Sequence, residues 1–380
     1  MCLGGRLSIK DIMIFRYYRY YSMKTIAIWA PLRYANIGDD MQAIALARHI
    51  QTLGHKVKLF QLDEELANLY KLESAPSVDV LCKDVNLVVI AGGALLTPFI
   101  WYKRLLSKQA REYENDFRDL YKATQKNPNL KFCAISMGGD GEVKNPRKWY
   151  SHWRTDFFSS PAFVNGTVRL AGDVQQMKQA FGKNFVYHAD MLFRTTDYFK
   201  PQMLPPTEKK RICLQFKKRY VDKSMLDAIY KYAEEHDDME FHFITTHMPK
   251  IGLTYQYLPE KESKNIFIDT YKTPEQLLGV LASCDITMTS MLHVGLMGLT
   301  MGTPFLSFRG PGKTKSFLKS IGGDWAIVDD NITFDELRSQ FFTKKKDELY
   351  NKYDVASLEA FKKDSLEQYA FCSKIVEKFA

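Results

Sequence analysis

Residues 285–308 read DITMTSMLHVGLMGLTMGTPFLSF. Two short apolar runs, Asp285–Thr289 and Pro304–Phe308, flank Leu292–Met301, an apolar stretch of helical length. Parallel strands need a long crossover between them, usually a helix, whereas antiparallel strands can be joined by a tight turn. A strand–helix–strand unit with apolar runs on both sides therefore predicts an α/β fold built on a buried parallel sheet.

The same alternation spreads upstream. Thr273–Ala282 reads as a helix with Pro274 in its first turn. Arg211–Phe216, Glu240–Thr245 and Asn265–Asp269 read as strands, and Met225–Glu235 as a helix. Residues 199–210, FKPQMLPPTEKK, interrupt the pattern with three prolines and a charged cluster, the signature of a linker. Ahead of it, strand Thr25–Trp29, helix Asp39–Leu53 and strand His55–Phe60 open a second series. Strands Asn86–Ala91 and Lys131–Met137 follow, and the alternation continues through 164–170, 174–181 and 184–188. The expected organisation is an extension at 1–22, an α/β domain at 23–200, a second at 208–330 and mixed-charge helices at 331–380. Two such halves leave a cleft between them. Two strands run directly into Gly92-Gly93 and Gly138-Gly139, and in open α/β sheets that carboxyl edge carries the ligand site.

Aromatic residues make up 13% of the 380 positions, too many for a disordered chain. Lys and Arg number 53 against 44 Asp and Glu, giving a formal charge of +9 and an expected anionic partner. No helix is strongly basic and the cations are interleaved with acids, which argues against nucleic acid. No apolar run reaches membrane-spanning length. None of the six cysteines is three residues from another, so no zinc-type pair is expected. Cys133, Cys213 and Cys284 sit in apolar runs, as buried thiols of a reducing, cytoplasmic compartment would. Residues 1–22 supply +3 of the charge. They read either as an over-long gene start ahead of Met23 or as a basic-aromatic patch touching the inner face of the membrane.

Ser290 is placed to cap the helix that begins near Leu292, with His293 in its first turn. A helix N-terminus offers free N–H groups and partial positive charge to an anion. Arg309-Gly310-Pro311-Gly312-Lys313-Thr314-Lys315 forms a second candidate anion loop, although it lacks the spacing of a nucleotide-binding P-loop. Each has a plainer reading, His293 as a packed core side chain and the loop as a solvated turn. In Asn36-Ile37-Gly38-Asp39, Asn36 or Asp39 can cap the following helix and Gly38 can allow a tight turn; a GxGxxG dinucleotide fingerprint is absent. Trp149, Tyr150 and Trp153, near Arg147, Lys148 and His152, could stack on a sugar or form a satellite hydrophobic cluster.

Together these segments resemble the polysaccharide pyruvyl transferase family over roughly residues 24–325. The resemblance is carried by Asn36-Ile37-Gly38-Asp39, by Ala91-Gly92-Gly93-Ala94-Leu95-Leu96 and by Asp190-Met191-Leu192-Phe193. The strongest block is Ser290-Met291-Leu292-His293 with Gly302-Thr303-Pro304, followed by Lys313. It implies two Rossmann-like domains of GT-B-like glycosyltransferase architecture. It also implies transfer of a pyruvyl group from phosphoenolpyruvate, as co-substrate and without other cofactor or metal, onto two hydroxyls of a glycan or lipid-linked sugar of the cell envelope. The implied roles are His293 as catalytic acid, with Ser290, Arg309, Lys313, Gly92, Gly93, Asn36, Gly38 and Asp39 around the donor. Trp149 and Trp153 are the candidates for the acceptor. The chain departs from the family pattern where Met291 replaces an Arg and where Arg169 falls out of register; Arg309 or Lys217-Lys218-Arg219 could compensate. The alternatives are a glycosyltransferase using a nucleotide sugar and a catalytically divergent glycan-binding relative.

Overall fold

The computed structural model describes residues 23–97, 106–139, 149–221, 223–249, 256–328 and 330–380. The readings of residues 1–22, Arg147 and Lys148 fall outside them. Strands β1 (Thr25–Trp29), β2 (Lys56–Phe60), β3 (Glu73–Ala75), β4 (Leu87–Ala91), β5 (Lys131–Met137), β6 (Phe163–Val168) and β7 (Val186–Tyr187) form one sheet in the order β3-β2-β1-β4-β5-β6-β7. Strands β8 (Lys210–Gln215), β9 (Met239–Ile244), β10 (Ile266–Asp269), β11 (Ile286–Thr289), β12 (Phe305–Phe308) and β13 (Ile327–Val328) form the second, in the order β10-β9-β8-β11-β12-β13. Every pairing is parallel. Each sheet starts at a central strand, winds to one edge and then jumps to the other side. The winding of strands reverses between β1 and β4 and between β8 and β11, and the crevice outside the strand ends there is the general ligand position of such sheets.

The main helices are α1 (Ile37–Thr52), α2 (Lys108–Lys126), α3 (His152–Ser159), α4 (Ala171–Phe181), α5 (Lys223–Glu235), α6 (Pro274–Ser283), α7 (Leu292–Thr300), α8 (Gly312–Ser320), α9 (Val355–Asp364) and α10 (Leu366–Phe379). Helix α1 begins two residues before the expected Asp39, because Asn36 is its cap and accepts from the Gly38 amide at 2.9 Å. Strands β3 and β13 escaped the sequence reading; at three and two residues they are too short to show a period.

The proline-rich segment after residue 199 does not hang free. Its Gln202 amide donates to Glu275 O at 2.9 Å and its Leu204 amide to Ser283 Oγ at 2.9 Å, strapping it along α6. A Cβ on Gly279 would lie 1.7 Å from Gln202 O, so a glycine is required where strap and helix cross. Helix α10 returns to the first half of the chain. Its buried Gln368 accepts from Ser136 N at 3.2 Å and from the Thr167 hydroxyl, and donates to the His188 and Ala189 carbonyls at 2.9 and 3.0 Å. One face of the first sheet packs Trp29, Phe60, Phe117, Phe132, Phe157 and Phe163 into its own cluster. The other face, through Ile28, α1 and α10, is continuous with the core of the second sheet. Cys82, Cys133, Cys213, Cys284 and Cys372 are free thiols, all buried except the half-buried Cys82. Among the described residues no helix is long and apolar enough to cross a membrane.

Candidate active site

The two halves are clipped together at the start of α1. Asn36 and His247 form an antiparallel bridge, with Ile37 N donating to Thr246 O at 2.8 Å and Met248 N to Ala35 O at 3.2 Å. The Asn36 amide nitrogen lies 3.0 Å from His247 Nε2. Behind it, the His247 ring meets Thr246 Oγ1 at 3.0 Å and Gln256 Nε2 at 2.7 Å. Burial pushes this imidazole down to about 4, so it stays neutral and can take part as an acceptor.

Beside this clip a cavity of about 420 Å³ opens between the sheets. From the first half it is lined by Asn36, Asp39, Ala94, Leu95, Tyr113 and Arg169, with Thr97, Gln109 and Arg154 further along. From the second half come Lys217, Ser290, Met291, His293, Pro311 and Lys313. Four of the expected donor residues from both halves of the chain, Asn36, Asp39, Ser290 and Lys313, thus share one cavity with His293.

Gly38 lies inside α1, not in a tight turn. A Cβ there would sit 2.0 Å from His293 Nδ1, so the absent side chain lets α7 approach α1. Gly92 and Gly93 hold left-handed φ of 52° and 73° and pack on Gln42; the Gly93 amide donates to Gln42 Oε1 at 3.1 Å. They shape the strand end behind the cavity, whose wall is taken by Ala94 and Leu95.

Ser290 is not the cap of α7. Met291 occupies that position without a side-chain cap, and its amide donates to Thr289 Oγ1 at 2.9 Å. This leaves the Ser290 hydroxyl buried, on the cavity wall and without a hydrogen-bond partner among the described residues. Helix α8 likewise has Pro311 at its cap position and no side-chain cap, so both α7 and α8 start at the cavity without a side-chain cap.

Arg309 is turned away. Its guanidinium donates to the carbonyls of Tyr220 at 2.7 Å and Asp330 at 2.8 Å, and it does not line the cavity. Its place is taken by Lys217, at the end of β8, whose ammonium is held below its ordinary value by burial and by nearby Arg219 and Lys313. Arg169 is the residue the sequence placed out of register. It projects into the site over Gly138, where a Cβ would meet its Nε at 2.4 Å, and binds Asp190 Oδ2 at 3.1 Å. Asp190 also accepts from Gln42 Nε2 and Leu192 N, both at 3.0 Å, and stands 3.7 Å from His293 Nε2. Met291, where the family pattern has an Arg, accepts from Thr246 Oγ1 at 3.3 Å and closes the wall instead.

Two titrating groups face this space with opposite shifts. Burial first, then Arg169 and Lys313, push the His293 imidazole down to about 3, against the pull of Asp190. Burial pushes the Asp39 carboxyl up to about 6, opposed by Arg169 and Lys313 and helped by Asp190. Among the described residues no cluster of three His, Cys, Asp or Glu side chains has the spacing to hold a metal.

Neither Trp149 nor Trp153 reaches the cavity. Trp149 is exposed, and Trp153 packs against Tyr121 and His152 at centroid distances of 6.3 and 4.2 Å. The aromatic side chain on the wall is Tyr113 of α2, stacked on Tyr34 at 5.9 Å. No periodic signal distinguished it from the many tyrosines of amphipathic helices.

Two parallel sheets with a polar cleft between them are the architecture of GT-B glycosyltransferases and sugar-nucleotide epimerases. A Staphylococcus aureus MnaA–UDP co-structure matches with a TM-score of 0.55 at 9% identity, over 88% of this chain and 94% of its own. UDP-GlcNAc 2-epimerase from Methanocaldococcus jannaschii matches at 0.54 with 10% identity, over 89% and 98%. The glycosyltransferase SnogD from Streptomyces nogalater matches at 0.50 with 13% identity, over 94% and 99%. At these identities the likeness is one of fold. No curated protein matches the sequence. The family model "Polysaccharide pyruvyl transferase" matches residues 181–310, the stretch that carries Asp190, Lys217, Ser290 and His293. The resemblance read from the sequence therefore holds over that stretch.

Proposed function

We propose that the protein transfers the pyruvyl group of phosphoenolpyruvate to two hydroxyls of one sugar, forming a cyclic ketal and releasing inorganic phosphate. The acceptor is a sugar of a cell-envelope glycan or of its lipid-linked precursor. One observation carries this reading: two helix N-termini without a side-chain cap, the Ser290 hydroxyl, Lys217, Lys313 and Arg169 converge on one small cavity beside His293. A donor bearing a carboxylate and a phosphate within a few atoms needs that density of cations and N–H groups. His293 enters neutral, takes a proton from an attacking hydroxyl and delivers it to the departing phosphate oxygen. The anionic donor beside it raises its proton affinity for that second step.

The fold neighbours favour a second reading, a nucleotide sugar as donor, since one of them is a complex with UDP. Against it, α7 carries no acidic side chain to hold a ribose. Incubation with phosphoenolpyruvate or with nucleotide sugars, each with candidate glycans, separates the two by release of phosphate or of nucleotide. His293→Ala is expected to lower phosphate release by about 10²–10⁴-fold with an unchanged unfolding midpoint. Turnover within twofold of wild type by the folded variant would remove His293 from the chemistry.

A further inference from the structure

We propose that Asp39 is a second catalytic group of this site, a carboxylic acid that protonates the methylene carbon of the donor and recovers a proton from the second attacking hydroxyl, after His293 has passed the first hydroxyl's proton to the phosphate. The proposal rests on the pyruvyl-transfer reading and divides its proton traffic between two side chains.

The balance of the reaction requires such a group. The double-bond pair of the donor forms a new C–H bond at C3 and leaves C2 electron-deficient. The first sugar oxygen bonds to C2 and loses its proton. The C–O bond to phosphate then breaks with its electron pair going to the phosphate oxygen. The second sugar oxygen closes the ketal and loses its proton. Two hydroxyl protons are lost, one matching the proton gained by C3 and one leaving on phosphate. The proton for C3 is needed before either hydroxyl has released one, so some group must enter the reaction protonated. The neutral imidazole of His293 has no acidic proton to give.

Asp39 has the position and the freedom to do so. It is the third residue of α1, on the cavity wall shared with His293, and its Oδ1 lies 3.5 Å from where a Cβ of Gly93 would be. Among the described residues its carboxyl makes no hydrogen bond or ion pair. The other acids nearby are committed: Asp40 accepts from the Tyr271 hydroxyl at 3.0 Å, and Asp190 accepts from Arg169, Gln42 and Leu192. A carboxyl that has no hydrogen bond or ion pair among the described residues, near the Arg169 and Lys313 cations, is a poor anchor for an anionic donor but a suitable acid beside one. The groups that face it are Arg169 and Asp190 from the loops after β6 and β7, His293 from α7, Lys313 from α8, Tyr113 from α2 and its neighbour Asp40. With its proton held up to about 6, roughly one site in ten is loaded at neutral pH. The negative charge of the arriving donor raises that fraction.

The test uses the full chain, phosphoenolpyruvate and an acceptor that supports phosphate release. Asp39→Asn is expected to bind phosphoenolpyruvate at least as tightly as wild type, by calorimetry, and to release phosphate at least 10²-fold more slowly. Asp39→Glu should recover part of the rate and move the alkaline limb of the pH profile. In deuterated water, His293→Ala should still exchange the vinyl hydrogens of recovered donor, and Asp39→Asn should not. The Asn variant should fold. The native chain keeps the Asp39 proton to about 6, whereas the unfolded chain loses it near 3.8, so ionised Asp39 costs stability above that window. Its midpoint at pH 7.5 should equal or exceed wild type. Near-wild-type turnover or continued vinyl exchange by Asp39→Asn overturns this role alone. A wild-type protein that releases no phosphate from phosphoenolpyruvate with any glycan overturns the reading of the site, and this role with it.

Discussion

Gly38 shows how a single missing side chain sets the geometry of the cavity. The sequence made it a turn residue, but its backbone is helical and its function is clearance: α7 brings the His293 ring onto the space a Cβ would fill. Gly38→Ala is expected to lower stability by about 1–3 kcal/mol through overpacking and to cut phosphate release by about 10²-fold, because the imidazole must move by roughly an ångström. Thermal unfolding together with steady-state turnover checks both. Asn36, Asp39, Ser290, His293 and Lys313 were legible because each sits where a strand hands over to a helix, a junction that leaves a local signature. Arg169 was given no role, and Lys217 was named only within a cluster that could replace a missing cation. Each follows a strand end of its own, and only the sheet order brings them to the same crevice. Arg309 misled for the converse reason: a cation in a glycine-rich loop looks available until its guanidinium is seen spent on two backbone carbonyls.

At the scale of elements, the start of α1 carries more than its own helix. Asn36 caps it, bridges to His247 and lines the cavity. Asn36→Ala should remove both the cap and the contact to His247, lowering unfolding free energy by about 1–2 kcal/mol. It should also raise the KM for the donor more than it lowers kcat, since it frees the segment bearing Gly38 and Asp39. Denaturant titration and initial rates measure the two effects. The strands of both sheets were readable because a doubly covered parallel strand is apolar nearly throughout. The capping of α7 was misread by one residue. Met291, not Ser290, holds the cap position, the Thr289 hydroxyl takes the Met291 amide, and which residue falls at the cap depends on backbone angles that composition does not encode.

For the whole molecule, the sequence supported two α/β halves and a proline-rich join, and both parallel sheets are present. The return of α10 left no trace in the pattern. A helix that docks on a distant sheet has the same periodicity as one that docks nearby, and the polar contacts of Gln368 are made with residues some 180–230 positions away. That return has a further consequence. The chain passes between the halves once at the strap and again ahead of α9 and α10, and a continuous apolar core joins them. Cutting the exposed backbone between Pro206 and Thr207, through an inserted protease site, should therefore yield two fragments that remain one particle on a sizing column. They should separate only in denaturant, and the pieces expressed apart should find each other. For this protein, covalent continuity at the join and physical unity are different properties.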